Sequence, residues 1–265
     1  MNRHVYALIV LFALGISVAL GVASEEEKTV TQQPKSKEYP PGIVLTFDDD
    51  YIADWYNAEK LLRPYNWKAT FFICKYGLFT PEQKQKLHLL QAAGHDIAGH
   101  GYNHENALKY VAAHGLDNYV NDEIIPLKAA MAKDGFNIHS FAYPDGAGAH
   151  DSKLDDKLLK YFDMVRGTTY GKLPPDVQYC YYEGDRVIYG LGIDDDYRQF
   201  NLPYYKSVML YAKQHHKIVI FYGHKTVDNA DEKLETPFEA LQQLCEFAVN
   251  NGLKFYTVDD LRKLR

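Results

Sequence analysis

Ile43-Val44-Leu45-Thr46-Phe47-Asp48-Asp49-Asp50 is the stretch on which the reading of the fold turns. Apolar residues suited to a buried strand run straight into three consecutive carboxylates, and a strand gains nothing structurally from like charges crowded at its end. One reading is an acidic turn that opens a helix after Tyr51, because Asp near a helix N-terminus caps it and suits its dipole. The other is a strand that delivers carboxylates to a site. The rest of the chain decides between them.

Apolar strand-like runs alternate with amphipathic helical patterns downstream, which argues for a largely parallel α/β sheet or barrel. Strands are predicted at Ile43 to Phe47, Ala69 to Cys74, Asp96 to Ala98, Ser140 to Tyr143, Met164 to Gly167, Val187 to Ile193, Ile218 to Tyr222 and Phe255 to Thr257. Between them the spacing predicts helices over Ala53 to Arg63, Pro81 to Ala93, Asp117 to Lys133, Ser152 to Phe162, Pro203 to His215 and Pro237 to Asn250. In such architectures ligands gather where strands end and the next loop begins. The polar residues at those ends form a coherent set: Asp48 and Asp49, then His100-Gly101-Tyr102-Asn103-His104, Pro144-Asp145-Gly146, Asp194-Asp195-Asp196 and Gly223-His224. All are expected on one rim.

Ahead of this domain, residues 1–24 carry Arg3 and His4, an unbroken apolar run from Val5 to Val22, and Ala23-Ser24, the layout of a secretory signal peptide. An uncleaved membrane anchor is the alternative, since the run approaches the roughly 18 residues that span a bilayer. Cleavage is favoured by the small residues near its end, so the domain is expected to be exported, with its mature start near Glu25. Residues 25–41 are polar and without periodicity, as in a solvated tether. Residues 42–265 then form one domain. The net charge of −6 argues against a nucleic-acid partner, and Cys74, Cys180 and Cys245 are too few and scattered for a disulfide framework.

Two histidines four apart, such as His100 and His104, reach one metal ion from a single turn, and a strand-end carboxylate completes a set of two nitrogens and one oxygen. That set leaves coordination positions open for water and substrate, as catalytic sites do. Surface or core histidines with ordinary partners are the alternative, and the flanking Gly99 and Gly101, the preceding strand and the Asp48-Asp49 pair weigh against it.

Thr46-Phe47-Asp48-Asp49, followed some fifty residues later by His100 and His104, resembles the T-F-D-D and H-x-x-x-H motifs of the polysaccharide deacetylases, the NodB homology or carbohydrate esterase family 4 proteins. The resemblance runs from about Gly42 to the C-terminus. It implies a distorted (β/α)7-8 TIM-like barrel, a divalent metal that is usually Zn2+, and hydrolytic removal of N- or O-linked acetyl groups from a poly- or oligosaccharide. Carried over, it makes Asp49, His100 and His104 the metal ligands, Asp48 the general base toward water, and His224 the general acid. Asp194, first among the three aspartates of an echoed fourth motif, would orient His224, and the backbone N–H of Asp145 would assist at the oxyanion.

The departures matter as much. The third family motif carries an arginine that holds the catalytic aspartate, and this chain has Ala142-Tyr143-Pro144-Asp145 in its place. The residue after the first metal histidine, usually Ser or Thr, is Gly101. With no arginine to fix the rotamer of Asp48, the expectation is a slow or substrate-restricted enzyme in which Asp145 is the rival base. Trp55, Tyr102 and Tyr143 are the aromatics near motif loops and so candidates for sugar-facing rings, while core packing and amphipathic rim positions explain most tyrosines equally well. A catalytically degenerate relative that binds a metal and a glycan without turnover is the second reading. A phosphatase using Asp48-x-Asp50 is a third, and it leaves both histidines unexplained.

Overall fold

The protein is described by a computed structural model covering residues 38–146, 151–169 and 171–265. The expected signal peptide and most of the expected tether lie outside the described residues. The described end of that tether is docked: Tyr39 is buried, its ring 5.0 Å from that of Tyr182, and its N–H bonds to the His216 carbonyl at 3.1 Å. No helix among the described residues is long and apolar enough to cross a membrane.

The opening stretch forms β1 (Gly42–Asp49), buried at every position but the last. In chain order follow β2 (Ala69–Ile73), β3 (Asp96–Gly99), β4 (Ser140–Ala142), β5 (Met164–Thr169), β6 (Tyr181–Tyr182), β7 (Val187–Gly192), β8 (Ile218–Gly223), β9 (Lys225–Val227), β10 (Glu235–Pro237) and β11 (Lys254–Tyr256). Strands β1, β2, β3, β4, β5, β7 and β8 pair in parallel in that order, and β8 returns to β1 over Gly42 to Phe47. Closure makes a seven-stranded barrel with helices outside, the α/β class the alternation predicts. The expected eighth strand, β11, flanks the start of β1 at Gly42 to Val44, below the point where β2 joins at Leu45.

Alternation along the strands sorts the core in two. Ile43, Leu45 and Phe47 of β1 pack with Phe71, Val165, Phe221 and the helices in an outer core. Val44 packs with Phe72, Met164, Ile188 and Ile220 in a second, inner core, as the period of two requires of a closed barrel. Counting on from Val44 places Asp48 on the inner face, and counting on from Met164 places Arg166 there too.

Helix starts follow their sequence signals. Thr80 and Gln83 form a capping box ahead of Pro81–Ala92, Asn201 caps Leu202–Gln214, and Thr257 with Asp260 caps Val258–Lys263. The helix predicted over Asp117 to Lys133 is interrupted. It runs as Leu116–Tyr119, a π-helical turn Val120–Ile124 and Ile125–Lys133. Pro126 has no N–H to give to the carbonyl four residues back, so regular α bonding fails there.

Candidate metal and acid–base site

At the C-terminal end of the barrel the strand-end residues meet around a cavity of about 280 Å³. Asp48, Asp49, His100, His104, Asp145 and His224 all line it, with Thr168, Tyr197 and Tyr222 among the walls. A larger open groove, about 550 Å³ between the helix Ile52–Leu62 and β9, has no imidazole in its lining. Asp50 is absent from the lining of the rim cavity, so the Asp48-x-Asp50 pair of a phosphatase reading is not assembled there.

Asp49, His100 and His104 each offer one ligand atom, and these atoms lie within 4.8 Å of one another. His104 Nε2 is 3.1 Å and His100 Nε2 3.6 Å from Asp49 Oδ1. His100 Nδ1 is 2.9 Å from the Ala142 carbonyl, to which only a protonated Nδ1 can donate. That tautomer leaves the Nε2 lone pair facing Asp49, the arrangement usual for a metal-ligating histidine. Burial pulls the His100 pKa down to about 4, against the opposing charges of Asp48 and Asp49, so its ring is neutral at neutral pH. Burial alone would raise Asp49, yet the hydrogen bond from His104 and the charges of the other histidines hold it well below the usual carboxylate range. The donor set therefore fits a divalent cation. Asp49 and His104 hold positive φ values of 88° and 67°, a conformation costing roughly 1–3 kcal/mol each and typical of sites where geometry is imposed.

Asp48 sits below this set, buried, with Oδ2 4.0 Å from His100 Nε2. Its other oxygen accepts a hydrogen bond from Arg166 Nη2. The expectation that no cation fixes Asp48 is overturned. Arg166 lies on β5, and the β4–β5 register pairs it directly with Ala142, the position where the family motif has its arginine. The guanidinium enters the barrel at the same height from the neighbouring strand. It is fully buried between the rings of Phe72 and Tyr222, each with its centroid 5.1 Å away, and packing of that kind suits a planar guanidinium.

Across the cavity, His224 Nδ1 lies 2.6 Å from Asp194 Oδ2, and the His224 backbone N–H donates to Asp194 Oδ1 at 3.1 Å. Thr236 donates its hydroxyl to the same Oδ1. Asp194 is completely buried. Gly223 permits this approach, since a Cβ there would stand 2.4 Å from Thr236 Oγ1 and 3.1 Å from Asp194 Oδ1. Burial disfavours the His224 imidazolium, but the hydrogen bond and charge of Asp194 outweigh it and raise its pKa.

Asp145 also lines the cavity, from an exposed turn where its carboxylate accepts from Asn106 Nδ2 at 3.0 Å. Of the three aromatics near motif loops, two take the core-packing alternative. Trp55 is fully buried and donates its indole N–H to the His224 carbonyl at 2.8 Å; Tyr143 is fully buried with its hydroxyl on Asp155 at 2.7 Å. Tyr102 lies against Gly77, where an added Cβ would stand 2.7 Å from its hydroxyl. The rings that do line the cavity are Tyr197 and Tyr222. All three cysteines are free and buried, and Cys74 Sγ is 4.0 Å from Asp49 Oδ1.

A parallel barrel with an aspartate–histidine–histidine donor set facing a histidine–aspartate pair has counterparts among known proteins. Residues 35–162 match the family model described as polysaccharide deacetylase. Over that region the chain resembles the polysaccharide deacetylases, of the NodB homology and carbohydrate esterase family 4 type. Among solved structures it is similar to the Xyl-CE4 domain of a multidomain xylanase from the hindgut metagenome of Trinervitermes trinervoides, at 19% identity and TM-score 0.53 over 84% of this chain and 90% of that one. It is likewise similar to peptidoglycan deacetylase PdaC from Bacillus subtilis, at 14% identity and TM-score 0.54 over 85% and 91%. A Streptococcus mutans CE4 esterase matches at 16% identity and TM-score 0.56 over 82% and 86%. At these identities the likeness is one of fold. A search of curated proteins found no match. The matched region includes Asp48, Asp49, His100 and His104 but stops before Arg166, Asp194 and His224, whose placement rests on the structure.

Proposed function

We propose that this chain is an exported, metal-dependent hydrolase that removes N- or O-linked acetyl groups from a polysaccharide. The observation that carries the reading is one cavity lined by Asp49, His100 and His104, by Asp48 beneath them, and by the Asp194-supported His224. Asp49, His100 and His104 would hold the ion, with Zn2+ favoured by the nitrogen-rich donor set. When bound, such an ion supplies Lewis acidity, lowering the pKa of water and polarising an acyl carbonyl. Asp48, fixed by Arg166, takes the proton of the attacking water. His224 gives a proton to the departing amine or alkoxide, with Asp194 and Thr236 holding its ring. The backbone N–H of Asp145 donates to the oxyanion that forms between them.

The catalytically degenerate reading, a protein that binds metal and glycan without turnover, loses its first motive once Arg166 supplies the cation that Ala142 lacks. Its second motive, the weak fourth motif, loses force because Asp194 and Tyr197 still reach the cavity or its histidine.

The test is acetate release from a panel of acetylated glycans, with elemental analysis of the same protein. The expected result is about one divalent ion per chain and release that disappears in His224→Ala while the ion stays. His100→Ala with His104→Ala should lose both. Full metal stoichiometry in that double variant overturns the ligand assignment, and release undiminished in His224→Ala overturns the acid. N-terminal sequencing of exported material checks the cleavage expected near Glu25, and an intact, membrane-bound Val5 to Val22 would mean an anchor.

A pH prediction follows from the His224 pair. A general acid must be protonated, so activity falls as pH rises through the pKa of His224, which Asp194 raises. Asp194→Asn removes the anion and lowers that pKa. The alkaline limb of the rate profile should therefore move to lower pH, with turnover at neutral pH down about a hundredfold or more. An unmoved alkaline limb would detach His224 from that limb.

A further inference from the structure

The loop that carries both histidines, from His100 to Glu105, has no strand or helix of its own to satisfy its backbone. The His100 N–H donates to the Ile73 carbonyl at 2.8 Å, and beyond it one residue from outside the loop serves three of its positions. Glu123, completely buried, accepts the Asn103 N–H at 3.1 and 3.0 Å on its two carboxylate oxygens, Asn103 Nδ2 at 2.7 Å and the Glu105 N–H at 3.4 Å. Its backbone carbonyl accepts the Tyr102 N–H at 3.1 Å. Tyr102, Asn103 and Glu105 are thus all bonded to a single side chain and its own carbonyl, and His104 lies between two of them with φ at 67°.

Two local features make this possible. The π-helical turn Val120–Ile124 contains Glu123, and such turns recur at functional sites because they redirect a side chain from the regular helical face. Gly101, with φ at 89°, leaves room: a Cβ there would stand 2.7 Å from Glu123 Oε2. A side chain at position 101 and the Glu123 carboxylate exclude one another. Where the family resemblance leads one to expect a hydroxyl residue beside the first histidine, this chain has a glycine and fills the space with a carboxylate from a distant helix.

We propose that Glu123 is the positioning residue of the metal loop, a buried template that replaces the missing side chain at position 101 and holds His104 in its strained ligating conformation. The proposal rests on the metal reading above. Residues that orient metal ligands typically change affinity by about 10- to 100-fold when removed. Glu123→Gln keeps the shape but turns one acceptor into a donor that faces N–H groups.

The experiment is titration of the full, metal-free chain with Zn2+ alone, followed by calorimetry or a competing chelator, alongside the thermal midpoint of the metal-free protein. The expected result is zinc affinity at least tenfold weaker in Glu123→Gln with the barrel folded. Unchanged zinc affinity with a lowered metal-free midpoint means a merely structural glutamate and overturns the proposal. Should Glu123→Gln fail to fold, the exposed Asn103→Ala and the crowding Gly101→Ala carry the test. Zinc binding several-fold weaker in both supports the template, and wild-type affinity in both overturns it. A wild-type chain that binds no zinc removes the metal reading and this proposal together, whereas equal binding by wild type and Glu123→Gln removes this proposal alone.

Discussion

Arg166→Met should destabilise the domain and stop acetate release. The Asp48–Arg166 pair is buried on both sides, and removing one member of such a pair leaves a charge without its partner in a low-dielectric interior. That typically costs about 3–5 kcal/mol, which lowers the thermal midpoint of a domain of this size by roughly 10 °C. Methionine keeps much of the volume between Phe72 and Tyr222, so cavity formation adds little. Arg166→Lys separates charge from geometry. It retains a cation but loses the planar group stacked between two rings and the fixed direction of its N–H. Lysine is expected to recover part of the stability while turnover stays reduced by about a hundredfold, because misplacing a catalytic group by an ångström costs that much. Thermal unfolding and acetate release measured on both variants check this. Wild-type turnover in Arg166→Met would mean that Asp48 needs no partner, and that the slow enzyme expected from Ala142 alone was the better inference.

That arginine shows where sequence reading stops. β1 was legible because its apolar run and terminal carboxylates are contiguous, and His100 and His104 because they share one short loop. Along its own strand, position 142 is where the family motif has its arginine. Its replacement is the cross-strand neighbour, 24 positions away by number, and register between strands is set by three-dimensional closure that spacing does not encode. A hint was present: Arg166 stands two residues from Met164 and two from Thr168 in a strand with no other charge, so period-two alternation turns it inward, where an unpaired cation is costly. Glu123 gave less warning, since a carboxylate on a helical pattern reads as a solvated face until Pro126 breaks the periodicity. Thr236 escaped because β9 and β10 have three residues each, too short for any pattern. Trp55 and Tyr143 take the core-packing alternative, as large amphipathic rings do when the polar atom finds a bond.

The deciding experiment for the chemistry is the contest between Asp48 and Asp145. Both carboxylates line the cavity, and the family resemblance alone assigns the base to Asp48. Geometry separates them. Asp48 is buried, held by Arg166 and 4.0 Å from the Nε2 of a proposed metal ligand. Asp145 is exposed, and its carboxylate already accepts from Asn106. A base that must meet a water at the donor set needs a fixed approach, which Asp48 has, while a solvated carboxylate on a turn loses precision to its own freedom. Asp48→Asn is close in shape, and it leaves Asp49, His100 and His104 untouched. It should therefore lower acetate release by about 10²- to 10⁴-fold with metal content unchanged. In Asp145→Asn the backbone N–H toward the oxyanion is preserved, so turnover should fall by less than about tenfold. Should Asp48→Asn keep most of its activity and Asp145→Asn lose it, the proton goes to the exposed turn, and Arg166 is left holding a carboxylate whose task is to shape the floor of the cavity.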